Sequence, residues 1–192
     1  MEKTEIRNFF DRLAPAWDET TVRNEKVISY ILDAAGVCEG VDLLDVACGT
    51  GVLFGDYLKR RVGSLTAIDL SPEMVSIART KFPEAEVICG DAEKTAFSRT
   101  FDVIMVYNAF PHFPSPEGIV SALCRALAPG GRLTVAHGMS RQAIIDHHSG
   151  AAADVSLELL PAEELAVIFS GYLDVDLVLS DDEKYIVSGT LR

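Results

Sequence analysis

Residues 43–51 read Leu-Leu-Asp-Val-Ala-Cys-Gly-Thr-Gly, an apolar run that breaks at two glycines and leads directly into a helical stretch. Glycine lets the backbone approach a ligand closely, and the N–H groups at the start of a helix face the same point. Asp69 stands 20 residues after Gly49 and ends the next apolar run. A carboxylate in that place can accept hydrogen bonds from the hydroxyls of a ribose. This stretch therefore predicts a strand, a turn and a helix that together bind a nucleotide-like ligand.

Short apolar runs alternate with helical stretches beyond this turn. The predicted strands are 43–46, 65–69, 86–89, 101–107 and 132–137, and the predicted helices between them are 52–61, 72–82 and 117–127. Ser71 before Pro72 is a helix-start signal, and the 128–131 stretch Ala-Pro-Gly-Gly is a helix-stop signal. Strands that alternate with helices form a parallel sheet covered on both faces.

The two ends of the chain depart from this alternation. Apolar residues at helical spacing within 1–36 predict two amphipathic helices that cap the domain. Near the other end, runs at 175–179 and 185–191 flank the polar turn Asp181-Asp182-Glu183, which predicts an antiparallel hairpin. The predicted fold class is a doubly wound α/β domain. Its sheet is seven-stranded and mostly parallel, with a C-terminal antiparallel hairpin and N-terminal capping helices.

Composition limits the classes of function. The chain has 192 residues, of which 48% are apolar, enough for one domain with a sizeable core. The net charge of −12 disfavours a phosphate-binding or nucleic-acid surface, because phosphates are also negatively charged. The N-terminal residues lack a secretory pattern and no apolar run nears the roughly 18 residues of a membrane span, so we expect a cytoplasmic location. Four cysteines without a C-x-x-C pair, Cys38, Cys48, Cys89 and Cys124, are expected to be small buried hydrophobes.

A dinucleotide site is the main alternative for the glycine turn. Such a site uses G-x-G-x-x-G, but the third glycine position holds Phe54, and Asp45 precedes the turn. A pyrophosphate would meet a carboxylate there. A ligand with an ammonium group and no phosphate would instead be stabilised by Asp45.

Five further segments extend the pattern across residues 5–137. They are Phe9-Phe-Asp-Arg-Leu-Ala-Pro-Ala-Trp17-Asp18, Ala67-Ile-Asp-Leu-Ser71, Gly90-Asp-Ala-Glu93, Phe101-Asp-Val-Ile and Leu127-Ala-Pro-Gly-Gly-Arg-Leu133. With the glycine turn, and in this order, they resemble the class I S-adenosylmethionine-dependent methyltransferases. The resemblance is to the small branch that includes the ubiquinone and menaquinone biosynthesis enzymes.

This resemblance implies a role for each matching residue. It implies that S-adenosylmethionine is the cofactor, bound by Asp45, Ala47, Gly49, Gly51, Asp69, Leu70, Asp91, Ala92 and Asn108. Asp69 would hold the ribose, Asp91 would accept from the exocyclic amine of adenine, and Asn108 would line the methyl-donor site. The family more often has glycine where Ala47 stands. Phe10 and Trp17 are candidate lid aromatics, although ordinary core packing explains them equally well.

The resemblance also divides the single domain, residues 1–192, into three parts. Residues 1–36 would form a helical lid, residues 40–137 the cofactor-binding core, and residues 138–192 a substrate-side segment with the hairpin. The implied partner is a small-molecule methyl acceptor, with no nucleic acid; a homodimer is left open. A non-catalytic cofactor-binding protein and, less favoured, a nicotinamide-dependent oxidoreductase remain alternatives.

All four histidines fall between positions 112 and 148. His112 and His137 follow neighbouring predicted strands, at the edge where ligands bind in open α/β sheets. Either one is a candidate general base. Alternatively, His112, His137 and one or both of His147 and His148 form a divalent transition-metal site with an open position for the acceptor. A buried imidazole that hydrogen-bonds a backbone carbonyl is the plainer interpretation of each.

Overall fold

The computed structural model describes residues 1–150 and 152–192. The strands are β1 (Asp42–Val46), β2 (Ser64–Asp69), β3 (Glu86–Cys89), β4 (Phe101–Tyr107), β5 (Leu127–His137), β6 (Leu173–Ser180) and β7 (Tyr185–Leu191). The helices are α1 (Lys3–Leu13), α2 (Trp17–Thr20), α3 (Glu25–Ala34), α4 (Phe54–Lys59), α5 (Pro72–Lys81), α6 (Pro116–Cys124), α7 (Arg141–His148) and α8 (Ala162–Ser170). Single 3₁₀ turns occupy Ala14–Ala16, Phe110–His112 and Ala153–Val155.

The seven strands form one sheet in the order β3-β2-β1-β4-β5-β7-β6. Strands β1 to β5 pair in parallel, whereas β7 is antiparallel to both β5 and β6. The predicted fold class is confirmed. The hairpin adds one detail, because its second strand inserts between β5 and β6.

Each face of the sheet is covered by helices. Leu44 and Val46 of β1 point into a core that also contains side chains of α6 and α8. Leu43, on the opposite face, packs with side chains of α3, α4 and α5. Successive side chains of a strand point to opposite faces of the sheet, and both faces are covered by helices. These strands are therefore almost continuously apolar.

Helix starts follow the predicted chemistry, but two boundaries differ. Ser71 Oγ accepts from Met74 N at 3.1 Å and Pro72 opens α5, as expected. The helix after the glycine turn begins at Phe54 rather than at residue 52, because residues 50–53 form a tight turn first. Helix α6 ends at Cys124, before the expected stop signal. Residues 128–131 lie within β5, where the pairing with β4 shifts register.

The N-terminal residues 1–36 divide into two parts in the structure. Helices α1 and α2 lie beside the carboxyl edge of the sheet, and Ile6 is the buried residue of α1. Helix α3 instead buries Ile28, Ile31 and Leu32 in the core beneath the sheet. Among the described residues, no helix combines the length and apolar character needed to cross a membrane.

Candidate functional site

A cavity of about 160 Å³ lies at the carboxyl edge of the sheet, between the loops that follow β1 to β4 and the overlying helices α1 and α2. Its wall contains nine of the residues predicted from the sequence: Asp45, Ala47, Gly49, Asp69, Leu70, Asp91, Ala92, Asn108 and His112. Residues brought together from four separate loops thus form one site, as expected for an open α/β sheet.

The backbone of the glycine turn has left-handed conformations at three positions. Ala47 has φ 56°, Gly49 has φ 55° and Gly51 has φ 82°. A β-carbon added at Gly51 would lie 2.8 Å from the ring of Phe54, so glycine is required there. Gly51 stands behind the cavity wall and shapes the turn. Phe54 is fully buried where a dinucleotide site would have its third glycine.

Asp69 ties the turn to the end of β2. Its Oδ2 accepts from Gly49 N and its Oδ1 accepts from Ser71 N, each at 2.8 Å. Burial raises the pKa of Asp69 to about 6, and the two backbone donors partly offset this effect. Each carboxylate oxygen keeps a lone pair for a further donor.

Asp45 is the second carboxylate of the cavity floor. Its residue surface is 3% exposed, and burial together with the charge of Asp69 raises its pKa to about 8. A buried carboxylate of this kind is stabilised in its charged form when a cation lies beside it. The site therefore favours a positively charged ligand group next to Asp45.

Asp91 and Asn108 both have protein partners. Lys3 Nζ donates to Oδ1 and Oδ2 of Asp91, both at 2.8 Å, and to Glu93 Oε2 at 2.6 Å. Asn108, at the end of β4, accepts from Gly138 N through its Oδ1 at 2.9 Å. Asn108 also has a positive φ of 53°, so its side chain is held at a sharp turn of the cavity wall.

Helices α1 and α2 are held over the site by polar contacts. Ser71 Oγ donates to Asp11 Oδ1 at 2.5 Å, and Thr50 Oγ1 donates to Asp18 Oδ1 at 2.6 Å. Asp18 also pairs with Lys81 at 2.6 Å. A β-carbon on Gly49 would lie 3.7 Å from the indole nitrogen of Trp17, so this aromatic residue covers the glycine turn.

His112 borders the cavity from the turn after β4. Its Nδ1 lies 2.9 Å from Val155 O and 3.2 Å from Ser156 Oγ. Its ring packs edge-to-face on Phe10, with ring centroids 4.8 Å apart. Burial lowers the pKa of His112 to about 4, so the imidazole is neutral near pH 7.

The structure does not place the other histidines in the cavity wall. His137 is 1% exposed and lies against Tyr185, its cross-strand partner on β7, with ring centroids 5.7 Å apart. Burial lowers the pKa of His137 to about 3. His148 is half-buried against His112, and His147 is exposed.

The predicted metal site needs a correction. Within residues 1–150 and 152–192, no group of three or more His, Cys, Asp or Glu side chains is arranged to hold a metal ion. The rings of His112 and His148 lie 5.0 Å apart and those of His147 and His148 lie 5.7 Å apart, each pair edge-to-face. However, His112 Nδ1 faces a backbone carbonyl, and His137 is covered by Tyr185. The residues present do not fit a three-histidine metal centre.

The cysteine prediction holds for two residues and is wrong for two. Cys48, in the cavity wall, and Cys124 are buried, whereas Cys38 and Cys89 are exposed. All four are free thiols.

Residues 44–135 match the family model described as "Methyltransferase domain". This stretch begins in β1 and ends in β5, so it contains the glycine turn, both floor carboxylates and His112. Residues 44–135 therefore form a methyltransferase domain of this family. The resemblance predicted from the sequence motifs is confirmed.

Two relatives of this chain are named as quinone-biosynthesis methyltransferases. The demethylmenaquinone methyltransferase of Chlorobaculum tepidum is 34% identical over an alignment of 139 residues, and the match covers 67% of this chain and 57% of that protein. The ubiquinone biosynthesis O-methyltransferase of Xanthomonas oryzae pv. oryzae is 37% identical over 112 residues, 55% of this chain and 45% of that protein. The chain thus spans less than two thirds of the length of these relatives.

Solved structures share the fold at lower identity. A chain from the complex between the Haloferax volcanii Trm112 methyltransferase activator and a methyltransferase superposes with a TM-score of 0.81 at 19% identity, covering 95% of this chain and 97% of that chain. Magnesium protoporphyrin IX methyltransferase from Synechocystis, solved with bound S-adenosylhomocysteine, has a TM-score of 0.74 at 15% identity over 100% of both chains.

Two charged residues of the site were missed by the sequence analysis. Lys3 reaches Asp91 and Glu93, although 88 residues separate it from Asp91. Arg23 Nη2 donates to Asp56 at 2.8 Å, and its Nη1 donates to the carbonyl of Val52, so it ties the loop after α2 to the glycine turn. Contacts this distant in sequence leave no local motif.

Proposed function

We propose that the protein transfers the methyl group of S-adenosylmethionine to a small organic molecule. The observation that carries this proposal is a pair of carboxylates, the buried Asp45 and the half-buried Asp69, beside the glycine turn of a methyltransferase domain. When bound, S-adenosylmethionine supplies an electrophilic methyl group on a sulfonium. The named quinone-biosynthesis methyltransferases among the relatives support a small-molecule acceptor.

The residues present fit this cofactor. Asp69 has two lone pairs left after its contacts with Gly49 and Ser71, enough to accept two ribose hydroxyls. Asp45 is a buried carboxylate without a cation beside it among its described hydrogen-bond and ion-pair partners, and it would hold the ammonium group. Asp91 and Ala92 would hold the adenine.

Helices α1 and α2 would exclude water from the reaction. The cavity of about 160 Å³ is smaller than the roughly 300–1,000 Å³ typical of ligand pockets. We propose that α1 and α2 move outward to admit the cofactor and that their contacts through Asp11 and Asp18 then close the site again. A dry, positioned reaction centre is the main contribution expected from the protein in an in-line methyl transfer.

The aromatic side chains of the cavity wall favour a flat, apolar acceptor. These side chains are Phe10, Trp17, Tyr107 and Phe113. Aromatic side chains stack on planar ligands and leave few polar groups to satisfy. We propose an aromatic or quinone-like acceptor on these grounds.

His112 is the proposed general base. If its Nδ1–H donates to Val155 O, as the 2.9 Å contact favours, its Nε2 keeps the lone pair that would take a proton from the acceptor. Replacing His112 with alanine is expected to lower turnover by roughly 10²–10⁴-fold with little change in cofactor affinity. His147→Ala, on the exposed side of α7, is the matched control. Full activity of His112→Ala would contradict this role.

The proposed function is tested by incubating the protein with S-adenosylmethionine and a panel of phenols, hydroquinones and aliphatic amines. Formation of S-adenosylhomocysteine that depends on a planar acceptor is the expected result. Cofactor binding without turnover on any acceptor would favour the non-catalytic alternative. Turnover on aliphatic amines alone would contradict the acceptor class but leave methyl transfer intact.

A further inference from the structure

The first turn of α1 makes a charged contact with the loop after β3. Lys3 Nζ lies within 2.8 Å of both carboxylate oxygens of Asp91 and 2.6 Å from Glu93 Oε2. The side chains of Lys3, Asp91 and Glu93 are only 27%, 20% and 18% exposed. Hydrogen bonds between ionised groups at such distances are stronger than neutral ones, particularly where water is partly excluded.

Lys3 is the main positive charge that faces these two carboxylates. Glu93 Oε1 is buried and has no hydrogen-bond partner among the described residues. Lys94 approaches Asp91 at 3.9 Å, but its side chain is 80% exposed, so water screens most of that attraction. Without Lys3, two neighbouring carboxylates would lose their principal counter-charge.

The contact lies at one end of the cavity. Lys3 and Ile6 of α1 form its roof there, opposite Gly90, Asp91 and Ala92, whereas Glu93 stands behind the wall. An ammonium group has three N–H donors. Lys3 can therefore keep its contact with Glu93 while Asp91 shares its oxygens with a ligand amine.

We propose that Lys3 is a positioning residue that latches α1 over the purine end of the cofactor by joining Asp91 to Glu93, and that it thereby slows cofactor release. The inference rests on the proposed function, since it assigns the Asp91 end of the cavity to the purine. It adds a role for Lys3 and Glu93, which lie outside the predicted binding set.

The test measures the dissociation rate of S-adenosylhomocysteine by stopped-flow fluorescence. Trp17 is the only tryptophan of the chain and covers the glycine turn, so its emission reports ligand in the closed site. Lys3→Met is expected to speed release about tenfold, equivalent to about 1.4 kcal/mol. Lys3→Arg should retain part of the slow release, because it keeps the charge.

Glu93→Gln weakens the same Lys3–Glu93 contact by a change in the loop after β3 rather than in α1. It therefore tests the proposal even if Lys3→Met unfolds α1. The double variant should release ligand no faster than the faster single variant, since both changes break one contact. Arg7→Met removes an equal charge from the exposed face of α1 and should leave release unchanged.

Release from Lys3→Met at the wild-type rate would overturn the inference. Slower release would also overturn it, because Lys3 would then compete with the purine for Asp91. A failure of the wild-type protein to bind S-adenosylhomocysteine would instead contradict the proposed function, and with it the latch. Binding with normal affinity but no effect of Lys3 or Glu93 leaves the proposed function standing and removes only the latch.

Discussion

Asp45 is buried and Asp69 is half-buried beside the turn that is proposed to bind the cofactor. Burial raises the pKa of Asp45 to about 8 and that of Asp69 to about 6. At neutral pH Asp45 is therefore mostly protonated and can exchange its proton for a ligand cation, whereas Asp69 is mostly ionised. This coupling makes cofactor affinity dependent on pH.

Cofactor affinity is expected to rise as pH increases from 6 to 8. Protonated Asp45 does not attract an ammonium group, and ionised Asp45 does, so the affinity for S-adenosylhomocysteine should increase more than about tenfold over this range. Calorimetric titration at several pH values measures it. Asp45→Asn should flatten the profile, and a wild-type affinity that is constant from pH 6 to pH 8 would contradict the role of Asp45.

The same carboxylates have the opposite effect on unfolding. Their pKa values are raised above the unfolded value of roughly 4, so the folded protein binds these protons more tightly than the unfolded chain does. Their contribution to stability is present at low pH and is lost as pH rises through about 6 and about 8. Bound cofactor should offset this loss for Asp45.

Asp69→Asn is expected to weaken S-adenosylhomocysteine binding at least tenfold. The amide keeps one acceptor but loses the charge that strengthens ribose hydrogen bonds, each worth roughly 1.5–3 kcal/mol. Asp102→Asn is the matched control, because Asp102 also accepts from a backbone N–H, that of Asp42 at 2.9 Å, but lies away from the cavity. Equal affinity of the two variants would contradict the ribose assignment.

At the scale of elements, the glycine turn could be predicted because its chemistry is local. Apolar strand, glycines and a following helix lie within about one supersecondary unit, and Asp69 ends the next strand. The ends of the helices were harder to predict from the sequence. Residues 50–53 form a turn and the 128–131 stretch joins β5, and both outcomes depend on tertiary pairing rather than on turn propensity.

His137 lies outside the cavity wall for a reason of topology. His137 ends β5 at the expected edge of the sheet, but β7 inserts beside β5 and brings Tyr185 opposite His137. Hairpin residues alone do not determine which of the two strands pairs with β5. His112 lies in the cavity wall, as predicted, because its position depends on the end of β4 and the turn that follows.

Deleting residues 1–18 is expected to leave a folded protein that binds S-adenosylhomocysteine more weakly. Helix α3 supplies buried side chains to the core and is retained. The deletion removes α1 and the first two residues of α2, and with them the cavity-lining residues Lys3, Ile6, Phe10 and Trp17. Thermal unfolding and calorimetric titration measure the two effects. Loss of cooperative unfolding would show that α1 and α2 belong to the core, and unchanged affinity would show that they are not a lid.

At the scale of the whole molecule, separate segments of an acidic chain meet around one cavity. The N-terminal helices are tied to loops far along the sequence through Lys3, Asp11 and Asp18. The net charge of −12 does not prevent this, because basic side chains are placed against acidic partners at the cavity rim. The cavity therefore depends on the complete α/β domain and its N-terminal helices together.

The most direct measurement is titration of the wild-type protein with S-adenosylhomocysteine, with S-adenosylmethionine and with NAD. Binding is measured by calorimetry and by the change in Trp17 emission. Saturable one-to-one binding of both sulfur ligands, with a change in Trp17 emission and no competition by NAD, is the expected result. Absence of binding by either sulfur ligand, or displacement of them by NAD, would contradict the assignment of this cavity to S-adenosylmethionine.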